Sequence, residues 1–411
     1  MFTKQRSIQS IYFYLILGNT LAVSFIWGIA TIFLLSAGLT NFQAFSVNAF
    51  FTLGQVLFEV PTGIIADKYG RRTSYLFGCL TLAISTGLYI FMWQIKGLFW
   101  GWAISSALLG LGYTFFSGAL EAWLVDALKF TKFKGKLEDV FSKGQIVGGV
   151  AMLIGSICGG LIAQYSNISI PYYLRSAILF LNFLTAFMLM KDLGFNPIKT
   201  KSALNDIKKI FNTSLHYGFK NPPVRWIMLS SPFITGVSFY IFYALQPFLL
   251  KLYGDEKAYG IAGIAAALIA SSRIFGGFIT SFIRKLFKKR TDALLSGIFI
   301  SGLVLILVGM ASNFWLVLIL IFIWGLIFAA ISPIRQTLLN NLIPSSQRAT
   351  VLSFDSLVGS SGGIFIQPIL GRSADLWSYS TSYLFSSLFQ LAALPFMYLA
   401  KKQNSKSDII K

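Results

Sequence analysis

The sequence predicts an all-α membrane protein: twelve transmembrane helices arranged as two similar six-helix halves. Three observations carry the prediction. The 411 residues are 55% hydrophobic and only 12% charged, with a mean hydropathy of +0.71, whereas soluble domains carry about 25% charged residues. Twelve apolar runs are long enough to cross a bilayer, which takes about 20 mostly apolar residues. The second half repeats features of the first at a shift of 212–214 residues.

In chain order the runs are 11–36, 41–66, 73–93, 97–127, 140–165, 171–190, 223–250, 257–286, 291–311, 313–341, 347–375 and 379–400. The first follows the polar start MFTKQRSIQS and is too long for a cleavable signal peptide, so it reads as a retained span. Several runs exceed the bilayer thickness and imply tilt. An even number of crossings puts both termini on one side. That side, with the even-numbered connections, holds 28 of the 34 Lys and Arg residues, and the other side holds five. The bias assigns both ends to the cytoplasm of a plasma (inner) membrane, crossed many times. The longest connection separates an N-terminal bundle, 1–190, from a C-terminal bundle, 223–411, which ends in a short basic tail. The linker 191–222 contains ALNDIKKIFNTSLHYGF, which suits an amphipathic helix on the inner surface or a flexible charged tether.

The repeat rests on several matches at a shared shift. AVSFIWG at 22–28 meets GVSFYIF at 236–242, and GYTF at 112–115 meets GLIF at 325–328. GSICG at 155–159 meets QPILG at 367–371. The basic stretch 68–72 meets 284–290, although Asp67 falls opposite Ser281. A parallel repeat of six spans is one of the architectures on which transporters are built, with substrate near the midplane.

The most specific stretch is EVPTGIIADKYGRR at 59–72, where an apolar run ends in Gly63, Asp67, Lys68, Gly70, Arg71 and Arg72. It resembles the loop between the second and third helices of the major facilitator superfamily, G-x-x-x-D-[RK]-x-G-[RK]-[RK], at every defining position. The resemblance extends over all twelve spans. It implies alternating access about a central pocket, with this loop as an inner gate. Asp67 would dock near the cytoplasmic end of the eleventh helix, and Arg71 would pair with Asp126 at the cytoplasmic end of the fourth. The plain alternative is that the two arginines only enforce topology.

Charges inside spans cost several kcal/mol unless paired or wet. Glu59, Glu121, Arg273 and Asp355 are therefore candidates for proton coupling. Glu59 lies roughly 12 Å deeper than Asp67 at 1.5 Å per residue, and the 214-residue shift sets Arg273 at the matching depth. A static buried ion pair is the competing role. Glu121 and Asp126 are five residues apart and so lie on different helix faces. Asp355, near the start of its span, suits a helix-dipole or arginine partner equally. Arg175, Arg335, Arg372 and Asp375 lie nearer span ends, where snorkelling accounts for them.

Gly155, Gly159 and Gly160, with Pro368 and Gly371 in the repeat, read as helix-packing positions. The first set resembles the G-x-x-x-G-P-x-x-G-G stretch of the drug–proton antiporter branch, with Ser156 at the proline and Ala151 at the first glycine. That branch also carries a buried arginine four residues before a glycine of the fourth helix; Ser106 stands there. The family places its cavity among the first, fourth, seventh and tenth spans. Those spans supply Asn19, Trp27, Tyr113, Trp123, Tyr240, Tyr243, Gln246, Trp324 and Gln336. Aromatic walls with scattered polar groups suit an amphiphilic molecule.

The expected function is proton-coupled export of hydrophobic or amphiphilic small molecules by a monomer embedded in lipid, without a cofactor. An importer or uniporter of a metabolite, sugar or peptide is the alternative, and a transporter-like sensor a third. A polytopic membrane enzyme would need metal or catalytic clusters; there are no Asp-rich pairs, His216 is the lone histidine, and Cys79 and Cys158 lie in apolar runs as packing residues. The net charge of +20 punctuates apolar segments and forms no continuous face for nucleic acid.

Overall fold

The computed structural model describes residues 2–195, 212, 215–345 and 347–410. These residues are almost entirely helical, with one isolated bridge, Lys289 to Ile409, and no named strand among them. Bilayer hydrocarbon offers no partner for backbone N–H and C=O groups, and helices satisfy them internally. Helices α1 (Phe2–Trp27) and α2 (Ala30–Ser36) form the first span; α3 (Asn41–Tyr69) and α4 (Arg71–Gln94) form the second and third. The fourth is divided into α5 (Phe99–Phe116) and α6 (Ala119–Phe130), followed by α7 (Leu137–Tyr165) and α8 (Ile170–Leu189). The second half comprises α9 (Pro222–Tyr253), α10 (Tyr259–Leu286), α11 (Arg290–Met310), α12 (Phe314–Leu342) and α13 (Arg348–Leu376), then α14 (Tyr379–Leu391) and α15 (Ala393–Lys402). Among the described residues, ten segments are long and apolar enough to cross a membrane; α10 and α13, of 28 and 29 residues, match them in length.

Two compact units result. One comprises Met1–Gly38, Phe50–Ala203 and Lys257–Ala267; the other comprises Leu39–Ala49, Leu204–Glu256 and Leu268–Lys411. Matching helices pack within them. The first span packs on the fifth and sixth (α1 on α7 and α8), as the seventh does on the eleventh and twelfth (α9 on α13 and α15). The core of the first unit gathers Leu15, Tyr75, Trp123 and Leu128, and that of the second Met228, Leu294, Leu338 and Met397. Large apolar side chains such as Phe180, Met188, Phe278 and Trp315 stand exposed, a surface stable only against lipid.

The fourth span is not the continuous helix its hydropathy predicts. It breaks at Ser117–Gly118, where Gly118 takes φ +66°, a left-handed conformation costly for any residue with a Cβ. The first and twelfth spans are also broken. A Cβ on Gly28 would lie 2.8 Å from the Gly263 Cα, and Pro395, in the first turn after the break at Ala392, lacks the N–H that an unbroken helix would bond to the Leu391 carbonyl. Most of the 191–222 linker, and with it most of the stretch expected to form a helix or a tether, lies outside the described residues.

Candidate functional site

The basic loop is held from within its own unit. Gly70 joins α3 to α4 with φ +103° and has no side chain to cap α4. The cap comes from Asp192, just past α8, whose Oδ1 accepts from the Arg72 N–H at 2.9 Å. The Arg72 side chain donates to the Phe187 carbonyl at 2.5 Å. Burial raises the Asp192 carboxyl pKa, against the pull of the Arg72 N–H and the two arginine charges. The second half repeats the device. Asp408, past the twelfth span, accepts from the Thr291 N–H and hydroxyl, both at 2.7 Å, at the start of α11. Neither aspartate stood out in the sequence, since each lies in a polar tail distant from the helix it caps.

Arg71 pairs with Asp67 at 2.8 Å, one turn away, and not with Asp126 as the resemblance implies. Among the described residues the Asp126 carboxylate has no ion pair. Lys68 lies over the Tyr69 ring at 4.9 Å, and Gly63 has open space where a Cβ would point. Gly70→Ala is expected to destabilise the protein by about 1–3 kcal/mol, because a Cβ there meets the Asp192 carboxylate as well as the unfavourable φ. Adding Asp192→Ala relieves the clash but also removes the cap of α4, so the double variant is compared with Asp192→Ala alone, against which only the φ cost remains. Thermal melting of the purified single and double variants measures both parts.

A cavity of about 460 Å³ opens within the first unit between α1, α5, α6 and α7. Tyr12, Asn19, Tyr113, Phe116, Glu121 and Gln145 supply its polar and aromatic wall. The Asn19 carbonyl oxygen accepts from the Tyr75 hydroxyl and from Asn182, each at 2.8 Å, and among the described residues no hydrogen bond engages its NH₂. Glu121 sits in the first turn of α6, where the helix dipole favours an anion. The break that starts α6 is therefore what places this carboxylate at the cavity. Glu59 lies outside the cavity lining and accepts from the Ser117 hydroxyl at 2.7 Å, tying α3 to the same break.

Arg175 overturns its snorkelling assignment. It is 1% exposed and has no carboxylate within ion-pair distance among the described residues. Its guanidinium donates to the Thr86 hydroxyl at 3.0 Å and the Ala22 carbonyl at 3.1 Å, with longer contacts of 3.4 and 3.5 Å to the Tyr113 hydroxyl. A buried charge thus stands directly behind a cavity residue. The signal was helical spacing: Arg175 shares a face with Tyr172, Leu179 and Asn182, all buried.

In the second unit Arg335 is likewise no snorkelling residue. It grips Asp355 through both nitrogens at 2.7 and 2.8 Å and also contacts Ser231, whose hydroxyl donates to Asp355 at 3.1 Å. Asp375 accepts from the Asn41 and Phe42 N–H groups at 2.9 and 2.8 Å, capping α3 where that helix belongs to the second unit. Several expected cavity residues are core instead. Trp123 donates to the Lys191 carbonyl at 2.7 Å, Tyr240 donates to Ser382 at 2.5 Å and packs on Phe45, and Trp324 stacks on Phe328. Their rings were indistinguishable from cavity rings in sequence, because packing alone decides which side of a helix opens. Gln246 is buried, Tyr243 partly buried and Gln336 exposed; none of these three, nor Trp27, lines the cavity of the first unit. The Arg273 side chain lies outside the described residues. A Cβ on Gly155 or Gly159 would collide with Ser24 or the Phe25 carbonyl of α1, and one on Gly160 would lie 2.5 Å from the Tyr259 carbonyl. Pro368 lies inside α13, and a Cβ on Gly371 would meet Phe45 at 2.7 Å.

Membrane-length helices in two repeated halves, one holding a part-polar cavity, are the architecture of a membrane transporter. The family model of the Major Facilitator Superfamily matches residues 10–366 and 282–409, and the chain belongs to that family. It is 24% identical over 381 residues to an uncharacterized MFS-type transporter of Methanocaldococcus jannaschii, covering 92% of this chain and 94% of the relative. It is 26% identical over 338 residues to the multidrug resistance protein MdtG of Salmonella choleraesuis, covering 80% and 77%. Among solved structures, the nucleoside transporter NupG matches with a TM-score of 0.75 at 13% identity, covering 96% of this chain and 98% of that one. A D-xylose-proton symporter matches with a TM-score of 0.67 at 15% identity, covering 97% and 98%.

Proposed function

We propose that this transporter exports amphiphilic organic cations, driven by inward proton flow, from a plasma membrane in which both termini are cytoplasmic and the chain works as a monomer. The observation that carries the reading is the cavity of the first unit: apolar and aromatic walls with the exposed carboxylate of Glu121. A carboxylate there serves a cation and a proton alternately, which is the requirement for exchanging one for the other. The similarity to a multidrug resistance protein supports the same direction. In this reading Gly63, Asp67, Lys68, Gly70, Arg71, Arg72 and Asp126 form the inner gate. Asp375 on the α3 N-terminus is an outer latch that breaks when the outer side opens.

The test is accumulation of tetramethylrhodamine ethyl ester in cells stripped of their major efflux pumps. Expression should lower accumulation, and nigericin at balanced potassium, which dissipates the pH gradient but leaves the membrane potential that draws the dye in, should restore it. Glu121→Gln, at equal membrane abundance, is expected to slow export about tenfold or more, the equivalent of about 1.4 kcal/mol. Accumulation unchanged by expression, across a panel of lipophilic cations, would remove the proposal.

A further inference from the structure

A second cavity, of about 290 Å³, lies in the first unit where the start of α1 meets the α6–α7 loop and the start of α7. Arg6, Lys134, Lys136 and Lys143 line it, against a single acid, Asp139. None of the four cations is among the ion pairs of the described residues. The wall is built, not loose. Gln5, 7% exposed, donates its Nε2 to the Thr131 carbonyl at 2.6 Å and pins α1 to the loop. Lys136 is the N-cap of α7, and no side chain caps that helix, whose first turn carries Glu138 and Asp139.

Topology does not require these charges to converge on one cavity. The bias that orients a membrane protein is a total over one face, and it is satisfied by charges spread along the loops. Here the connection 129–143 carries five Lys and Arg residues, whereas the matching connection of the second half carries Arg335 and Arg348. Like charges drawn into one concavity repel one another, and an anion there relieves the repulsion. Phe133 and Val140 on the same wall give an apolar margin.

We infer that this cavity binds a phosphate group, carried either by an anionic phospholipid headgroup or by a free phosphate. Basic pockets at the inner ends of transmembrane helices are suited to such headgroups, and the apolar margin matches the glycerol and first methylenes. The site is separate from the transport cavity and independent of what is transported.

The test uses the full-length protein purified in detergent, with phosphatidylglycerol, phosphatidylcholine and inorganic phosphate as probes, read by native mass spectrometry and thermal melting. The decisive variant is the triple Lys134→Gln, Lys136→Gln, Lys143→Gln, whose side chains are exposed. The control removes the same charge elsewhere, by Arg284→Gln, Lys285→Gln, Lys288→Gln. Phosphatidylglycerol should bind about tenfold tighter than phosphatidylcholine and raise the melting point, and the decisive triple alone should abolish both effects. Protection by phosphatidylglycerol but not inorganic phosphate identifies the headgroup as the source. Protection by inorganic phosphate, lost in the same triple, identifies the free anion. Equal binding of the two lipids without phosphate protection, or equal losses in the two triples, would overturn the inference.

Discussion

Arg175→Met is expected to melt at or above the wild-type temperature while transport falls about tenfold or more. The reasoning starts from cost. Taking a charged side chain out of water into a protein interior costs several kcal/mol even after relaxation. Arg175 is fully buried and meets three neutral oxygens in place of a carboxylate. Replacing buried charge by an apolar side chain of similar volume is often neutral or stabilising. If the residue only braced α1, α4, α5 and α8, Arg175→Met would melt lower and lose transport in proportion. If it holds the Tyr113 hydroxyl at the cavity, stability and activity separate. Melting curves beside initial efflux rates, normalised to membrane abundance, decide between the two. Tyr113→Phe supplies the second point: it should lower transport without altering melting.

The ion pair of the second unit predicts the opposite pattern. Asp355→Ala should destabilise the protein by about 3–5 kcal/mol, because removal of one partner strands the other as an uncompensated buried charge. Asp355 is 7% exposed, and its carboxylate joins α9 and α12 to α13 through Ser231 and Arg335. The double replacement Arg335→Met, Asp355→Leu should recover most of the loss, since an apolar pair of similar volume carries no desolvation cost. Chemical denaturation of the single and double variants measures the coupling. A proton-carrying Asp355 would give a different result, with Asp355→Asn melting normally while uphill transport is lost.

Glu121 and Arg335 stand 214 residues apart, at matching positions in the fourth and tenth spans. One half therefore presents an exposed acid to a cavity, and the other locks a base into a fork with Asp355. Two halves with the same backbone plan thus differ in the sign of charge, and in its pairing, at one helical position.

The all-helical membrane fold in two similar halves and the loop 59–72 were legible in the chain, because a bilayer imposes long apolar runs that composition records directly. Membership of the family followed from the same stretch, whose glycines and acid sit at fixed offsets. Tertiary structure alone decided which ionisable residue faces what. Arg175 and Arg335 read as snorkelling by their distance from span ends, yet both turn inward, because depth along a helix says nothing of which neighbour lies beside it. Trp123, Tyr240 and Trp324 read as cavity walls and are packed core. Glu121 became a cavity carboxylate through the Ser117–Gly118 break, a feature that hydropathy averages away. Asp192 and Asp408 cap helices more than a hundred residues distant in the chain. Span count is a one-dimensional property of solvent preference, and partner choice is a three-dimensional property of packing.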